Sequence, residues 1–195
     1  MTSSLRKPFA LLVALVSCSV GASDARRSGT WWGAASPDER SGYLAGYLAC
    51  EVYDAGKNAL GEVRWEVLEK TISERYRNGS EPLSTPVGAL AVKLGALQER
   101  SPPDGVPEIY PEKYGFFDGE FWRQSSKDAR QGFIEGYVDC CRDEGIKGAG
   151  LTGSPQTQVS AISEWYGIRD DGDAIDATRR TSKVPDVLRR ASAGR

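Results

Sequence analysis

Three kinds of side chain here have chemistry to offer: cysteines, a repeated arginine–glutamate couple, and scattered carboxylates. Histidine is absent from all 195 residues. That absence removes the commonest general base, the Ser–His and Cys–His nucleophile pairs, and most zinc and iron sites. Cys140 and Cys141 stand side by side without a base partner, and the chain holds no phosphate-binding loop, CxxC or GxSxG segment. A two-carboxylate hydrolase remains an alternative in principle, but no Asp or Glu pair is singled out by its spacing. Asp170-Asp171-Gly172-Asp173 lacks both the glycine and the closing glutamate that a calcium loop needs, and reads as a turn. The expectation is therefore a non-enzyme with no catalytic residue, no cofactor and no metal ligand.

Disulfide chemistry is what the cysteines can do, and it depends on compartment. Residues 1–22 read as an export signal, with Arg6 and Lys7, an apolar stretch from Phe9 to Val16, and the small residues Val20-Gly21-Ala22 at a cleavage site. The apolar stretch falls well below the roughly 20 residues of a spanning helix, and no later segment approaches that length, so no transmembrane span is expected. Leu15-Val16-Ser17-Cys18 also fits a lipobox, which would make Cys18 a lipidated first residue and the product an outer-membrane lipoprotein. Either route leads out of the cytoplasm, to the periplasm or beyond. Cys50, Cys140 and Cys141 then remain as disulfide candidates. Cys50 with Cys140 is one pairing and Cys50 with Cys141 the other. A bridge to Cys140 would close a loop worth on the order of 3–4 kcal/mol in the chain-entropy account.

Cys50 and Cys140 also mark equivalent places in a duplicated pattern. Trp32, Ser36, Asp38, Arg40, Gly42, Gly46, Tyr47 and Cys50 return 90 positions later as Trp122, Ser126, Asp128, Arg130, Gly132, Gly136, Tyr137 and Cys140. Ile72-Ser73-Glu74-Arg75-Tyr76 returns as Ile162-Ser163-Glu164-Trp165-Tyr166 at the same offset. A shared offset across separate blocks points to a doubled unit. The retention of Arg40 with Glu74, and of Arg130 with Glu164, is read as an ion pair tying first helix to second in each unit, with anion binding as the functional alternative. Tyr47 and Tyr137 are read as core tyrosines whose hydroxyls need partners, with a binding role as the alternative.

The elements that must position these residues are helices. Ser36, Pro37 and Glu39 compose an N-terminal cap and capping box, and Gly56 is a natural stop. Glycine inside a helix costs about 1 kcal/mol relative to alanine. Keeping Gly42, Gly46, Gly132 and Gly136 in helices therefore implies close approach of another backbone, read as a helix–helix crossing between the copies. A second helix spans Glu62 to Arg77, with Val63, Leu68, Ile72 and Tyr76 inward. A third starts with Thr85 as cap and Pro86 at the first position, with Val87, Leu90, Ala91, Leu94 and Leu97 inward. The second unit has its first helix from Ser126 to Glu144 and another from Ser154-Pro155 to Tyr166. A short remnant from Pro185 stands for the third.

The fold expected is all-α, two units of about three helices each, the last degenerate, packed about a pseudo-two-fold axis. Its divisions are a signal peptide (1–22), unit 1 (23–100, opening with a tether to residue 31), a linker (101–116), unit 2 (117–176) and a basic, frayed tail (177–195). A formal net charge of -2 gives no reason to expect nucleic acid as a partner.

Gly42-Tyr43-xx-Gly46-Tyr47-xx-Cys50, Ile72-xxx-Tyr76, Pro82-Leu83 and Pro86-xxx-Leu90-xxx-Leu94 resemble the Rap1a/Tai-type immunity domain over residues 40–97, and again over 130–166. The resemblance implies a small exported helical domain that neutralises type VI secretion amidase toxins in the periplasm. The chain differs in its duplication and cysteine placement, and no toxin-contacting residue is carried over. The function expected is an exported protein-binding module with a protein partner in the envelope, immunity-like inhibition being its sharpest form. The alternative is a structural or lipid-anchored envelope protein.

Overall fold

Ser36-Pro37-Asp38-Glu39 starts a helix for reasons local to those four residues. The Ser36 hydroxyl accepts from the Glu39 amide, the Glu39 carboxylate accepts from the Ser36 amide, and proline sits where no amide is needed. A serine cap recurs at Ser126, and serine with proline at Ser154-Pro155, without the glutamate. A computed structural model describes residues 26–57, 65–98, 117–146, 153–169 and 178–193. Eight α-helices occur among them: α1 (Gly29–Ala34), α2 (Pro37–Cys50), α3 (Trp65–Arg77), α4 (Val87–Gln98), α5 (Gly119–Gln124), α6 (Lys127–Asp143), α7 (Pro155–Tyr166) and α8 (Val184–Ala193). The protein is all-α. None of these helices is long and apolar enough to cross a membrane.

The centre of the molecule is the seam where α2 lies along α6. A Cβ placed on Gly42 would fall 2.1 Å from the Ala129 carbonyl oxygen, and one on Gly46 1.9 Å from that of Phe133. In return, a Cβ on Gly132 would fall 2.0 Å from the Glu39 carbonyl oxygen and one on Gly136 1.9 Å from that of Tyr43. The four glycines thus let two backbones touch, as the sequence implies. The Cys50–Cys140 disulfide closes the seam, with Cα atoms 6.1 Å apart, and Cys141 is a buried free thiol.

Around the seam each copy builds the same set of contacts. Trp32 Nε1 donates to Ser73 Oγ at 2.9 Å, and Trp122 Nε1 to Ser163 Oγ at 3.0 Å. Tyr76 donates to the Thr85 carbonyl and Tyr166 to the Ser182 carbonyl. Antiparallel bridges join Ser28 to Pro86 and Asp118 to Lys183, so that Val87 N donates to Arg27 O and Val184 N to Phe117 O. Leu68, Ile72, Leu90, Leu94 and Ile162 fill the layers between helices, all buried.

Several expectations need correction. Residues 26–31 are not a tether: Arg27 and Ser28 bond into the fold, and α1 begins at Gly29. Residues 184–193 are not a frayed tail but α8, whose Val184, Val187 and Leu188 are fully buried. The third element of unit 2 is therefore not degenerate, and among the described residues each half shows four helices. Its likeness to α4 escapes a fixed offset because the segment from Tyr166 to Val184 is longer than that from Tyr76 to Val87. Leu97, expected inward, is 54% exposed. The Thr85 hydroxyl, expected to cap a helix, bonds the Glu81 carboxylate.

One element had no signal in the sequence reading. After Cys50 the helix widens into a π turn, Glu51–Ala55, closed by Gly56 at φ 64. Such a turn is a one-residue insertion into a helix. It shifts the register of the copies by one, so Asp54 and Gly56 match Asp143 and Gly145, which also has φ 64. The leader with Cys18, Val63, the linker 101–116 and the acidic stretch 170–176 lie outside the described residues.

Candidate functional site

Equivalent positions on the two sides of the seam hold different chemistry. On one side Phe117, Phe121 and Phe133 stack with ring centroids 5.2 to 5.6 Å apart, and Trp122 meets Phe133 edge-on at 6.0 Å. On the other side the corresponding residues are Arg27, Trp31 and Tyr43. Where α2 carries Ala45 and Ala49, α6 carries Glu135 and Asp139, four residues apart and so on one helical face. All four are buried, Glu135 at 5% and Asp139 at 1% exposure.

Burying two carboxylates is costly unless each is paired and hydrogen-bonded. Both are. Arg27 grips Glu135 in a two-pronged contact, Nη2 to Oε1 at 2.9 Å and Nε to Oε2 at 3.2 Å. Asp139 Oδ2 accepts from the Arg27 amide at 2.8 Å and the Tyr43 hydroxyl at 3.1 Å, while Arg142 lies 3.3 Å from Oδ1. Burial pushes the Asp139 carboxyl above its usual range, opposed by Arg27, Tyr43 and Arg142. Burial and then Asp139 push the Tyr43 phenol well above its ordinary value, so it stays a donor.

The polar contacts continue along the seam in both directions. Above, Ser36 donates to Asp128 at 2.9 Å and Gln131 reaches both Glu39 and Glu135 at 3.4 Å. Burial, then the charge of Glu135, holds Glu39 above the ordinary glutamate value. Below, Tyr47 donates to Asp143 at 3.0 Å, Arg26 pairs with Asp143 at 2.8 Å, and Lys57 meets Glu144. The result is a ladder that fastens residues 26–27 and α2 to α6. Its two buried carboxylates have internal donors, and it acts chemically as a clamp.

The remaining site residues fall into place around it. Tyr47 and Tyr137 are core tyrosines with cross-seam partners, Asp143 and Asp54 respectively, the second at 2.6 Å. Burial raises both phenols. Arg40 and Arg130 do not pair with Glu74 and Glu164. Each guanidinium sits over the indole of its own short helix, 5.7 Å from Trp32 and 6.0 Å from Trp122. Arg40 bonds the Trp32 carbonyl at 3.5 Å and Arg130 the Trp122 carbonyl at 2.8 Å. They cap the C-termini of α1 and α5, where a cation is favoured, and this explains their retention beside the tryptophans. Arg40 also faces Glu69 at 3.3 Å; the equivalent of Glu69 is Val159, so no such pair recurs. Glu74 points to solvent beside Lys70, and the described residues give the Glu164 side chain no role.

Arg27, Tyr43, Glu135 and Asp139 do not stand out as a group in the sequence, because none of them is retained in its counterpart. The signal lay in the differences between copies: two alanines on one helix where the other carries two carboxylates. Among the described residues no cluster of Cys, Asp and Glu is arranged to hold a metal ion. No protein-family model matches the chain, and no curated protein or solved structure matches it either.

Proposed function

We propose that this is an exported bacterial protein-binding module, built by doubling of one helical unit about a pseudo-two-fold axis. The observation that carries the reading is the locked seam: four glycines, a disulfide and a saturated polar ladder hold two similar units as one rigid body. Rigidity of that kind favours binding, because little order remains to be lost on association. The disulfide supports an oxidising destination outside the cytoplasm, in keeping with the leader-like residues 1–22. The Tai-like residues 42–50, 72–76 and 86–94 fall on or beside α2, α3 and α4, which supports immunity-like inhibition of a secreted cell-wall amidase as the sharpest form of this function.

Glu39, Glu135 and Asp139 are the carboxylates a hydrolase reading would draw on. Arg27, Tyr43 and Gln131 account for all three within the fold, so the binding reading stands ahead of it.

The test is to purify the mature protein from an envelope extract of its own host and to measure complex stoichiometry and peptidoglycan amidase activity of whatever co-elutes. A one-to-one complex whose amidase activity returns when the partner is freed supports the proposal. Elution with no stoichiometric partner, together with a fatty acid on Cys18, would replace it by the anchored structural alternative.

A further inference from the structure

Cys141 takes no part in the disulfide, yet its sulfur lies 3.6 Å from that of Cys50, the half of the bridge contributed by α2. Cys140 and Cys141 are neighbours on α6, so both present sulfur to the same Cys50. The relation is one-sided: the residue after Cys50 is Glu51, not a second cysteine. Three sulfurs therefore share one buried site at the end of the seam, with Cys50 at its centre.

We propose that this triad is an internal exchange site, in which Cys50 can be bridged to either Cys140 or Cys141. The step is a thiol–disulfide exchange. The Cys141 thiolate attacks Cys50 Sγ, the Cys50–Cys140 bond breaks as Cys50–Cys141 forms, and Cys140 leaves as a thiolate that takes up the proton Cys141 gave up. One disulfide is lost and one gained, so no outside oxidant or reductant is needed. Cys141 also lies beside Tyr137, Asp54 and Arg189, the cluster that fastens α8 to the seam, so moving the bridge changes what that cluster meets. The exchange thereby couples the state of the bridge to the docking of α8.

Burial pushes the Cys141 thiol up to about 12, with Asp54 adding to the effect. The thiolate is the attacking species, so exchange is slow at neutral pH and rises about tenfold per pH unit below that value.

Position-resolved thiol tagging of the intact, oxidised protein tests this. After incubation at about pH 7 or about pH 9.5, the sample is quenched in acidic denaturant containing a maleimide, reduced, and given a second tag of different mass. Fragmentation between residues 140 and 141 shows which one carried the free thiol. The first tag is expected almost wholly on Cys141 at the lower pH, and on Cys140 in a growing fraction at the higher. A second measurement uses Cys140→Ser in a glutathione redox buffer, where a Cys50–Cys141 bridge should form with loss of both thiols. Absence of first tag on Cys140 after prolonged incubation at the higher pH overturns the proposal, whether or not the serine variant folds. Two persistent free thiols in a folded serine variant overturn it as well.

Discussion

Gly46 and Gly33 are both helical glycines, and alanine at the two positions should have opposite effects. At Gly46 the added carbon would sit 1.9 Å from the Phe133 carbonyl oxygen, which is backbone and cannot turn aside. Gly46→Ala should therefore cost about 3 kcal/mol as α2 and α6 are forced apart. At Gly33, exposed in α1, nothing lies within 4 Å of the added carbon. Gly33→Ala should gain about 0.5–1 kcal/mol from backbone entropy. Urea midpoints for the two variants check both signs. Asp139 gives a pH-dependent counterpart. Its pKa is raised on folding, so its contribution is fully present below the ordinary aspartate range, near 4, and is lost as pH rises through the shifted value. An asparagine side chain in its place has no proton to lose over that range. Asp139→Asn should thus gain stability relative to wild type as pH rises above about 4, although Arg27, Tyr43 and Arg142 face the group. Denaturant midpoints of both proteins from about pH 4 upward decide it; a difference, variant minus wild type, that falls with rising pH would contradict the assignment.

Helix α8 shows how far an element can be read without its partners. Pro185 marks its start in the sequence, but the surrounding arginines make residues 177–195 look like a solvated tail. What decides otherwise is that Val184, Val187 and Leu188 fall on one face, with α7 beside them. Leu188→Ala should cost about 2–5 kcal/mol, the range for a buried leucine and far beyond any effect in a tail. A thermal or urea unfolding curve is sufficient to see it. Helices with strong local signals were legible: α2, α6 and α7 begin at the caps that Ser36, Ser126 and Ser154 announce. The π turn was not, because nothing in Glu51-Val52-Tyr53-Asp54-Ala55 differs in propensity from ordinary helix. The turn brings Asp54 to the Tyr137 hydroxyl, a partner that only α6 supplies.

For the molecule as a whole, the disulfide and the glycine seam are two locks on one joint. Reduction of Cys50–Cys140 should lower stability by on the order of 3–4 kcal/mol, since the loop it closes is long. Unfolding with and without reductant measures this, and a mass that shows three free thiols in the oxidised protein would remove the bridge altogether. The helical class, the doubling of the pattern, the glycine-lined crossing and the pairing candidates for Cys50 can all be read from the order of residues alone. Each rests on something local or periodic: a cap, a helical stripe, an offset, a residue type whose cost demands a reason. It took the three-dimensional packing to show that Arg40 and Arg130 cap helices over tryptophan, that Cys141 lies as a free thiol beside the bridge, and that one side of the seam is aromatic while the other buries Glu135 and Asp139 against Arg27. Those outcomes depend on which side chains meet across the seam, and a buried charge is stable only where its partners from other elements converge.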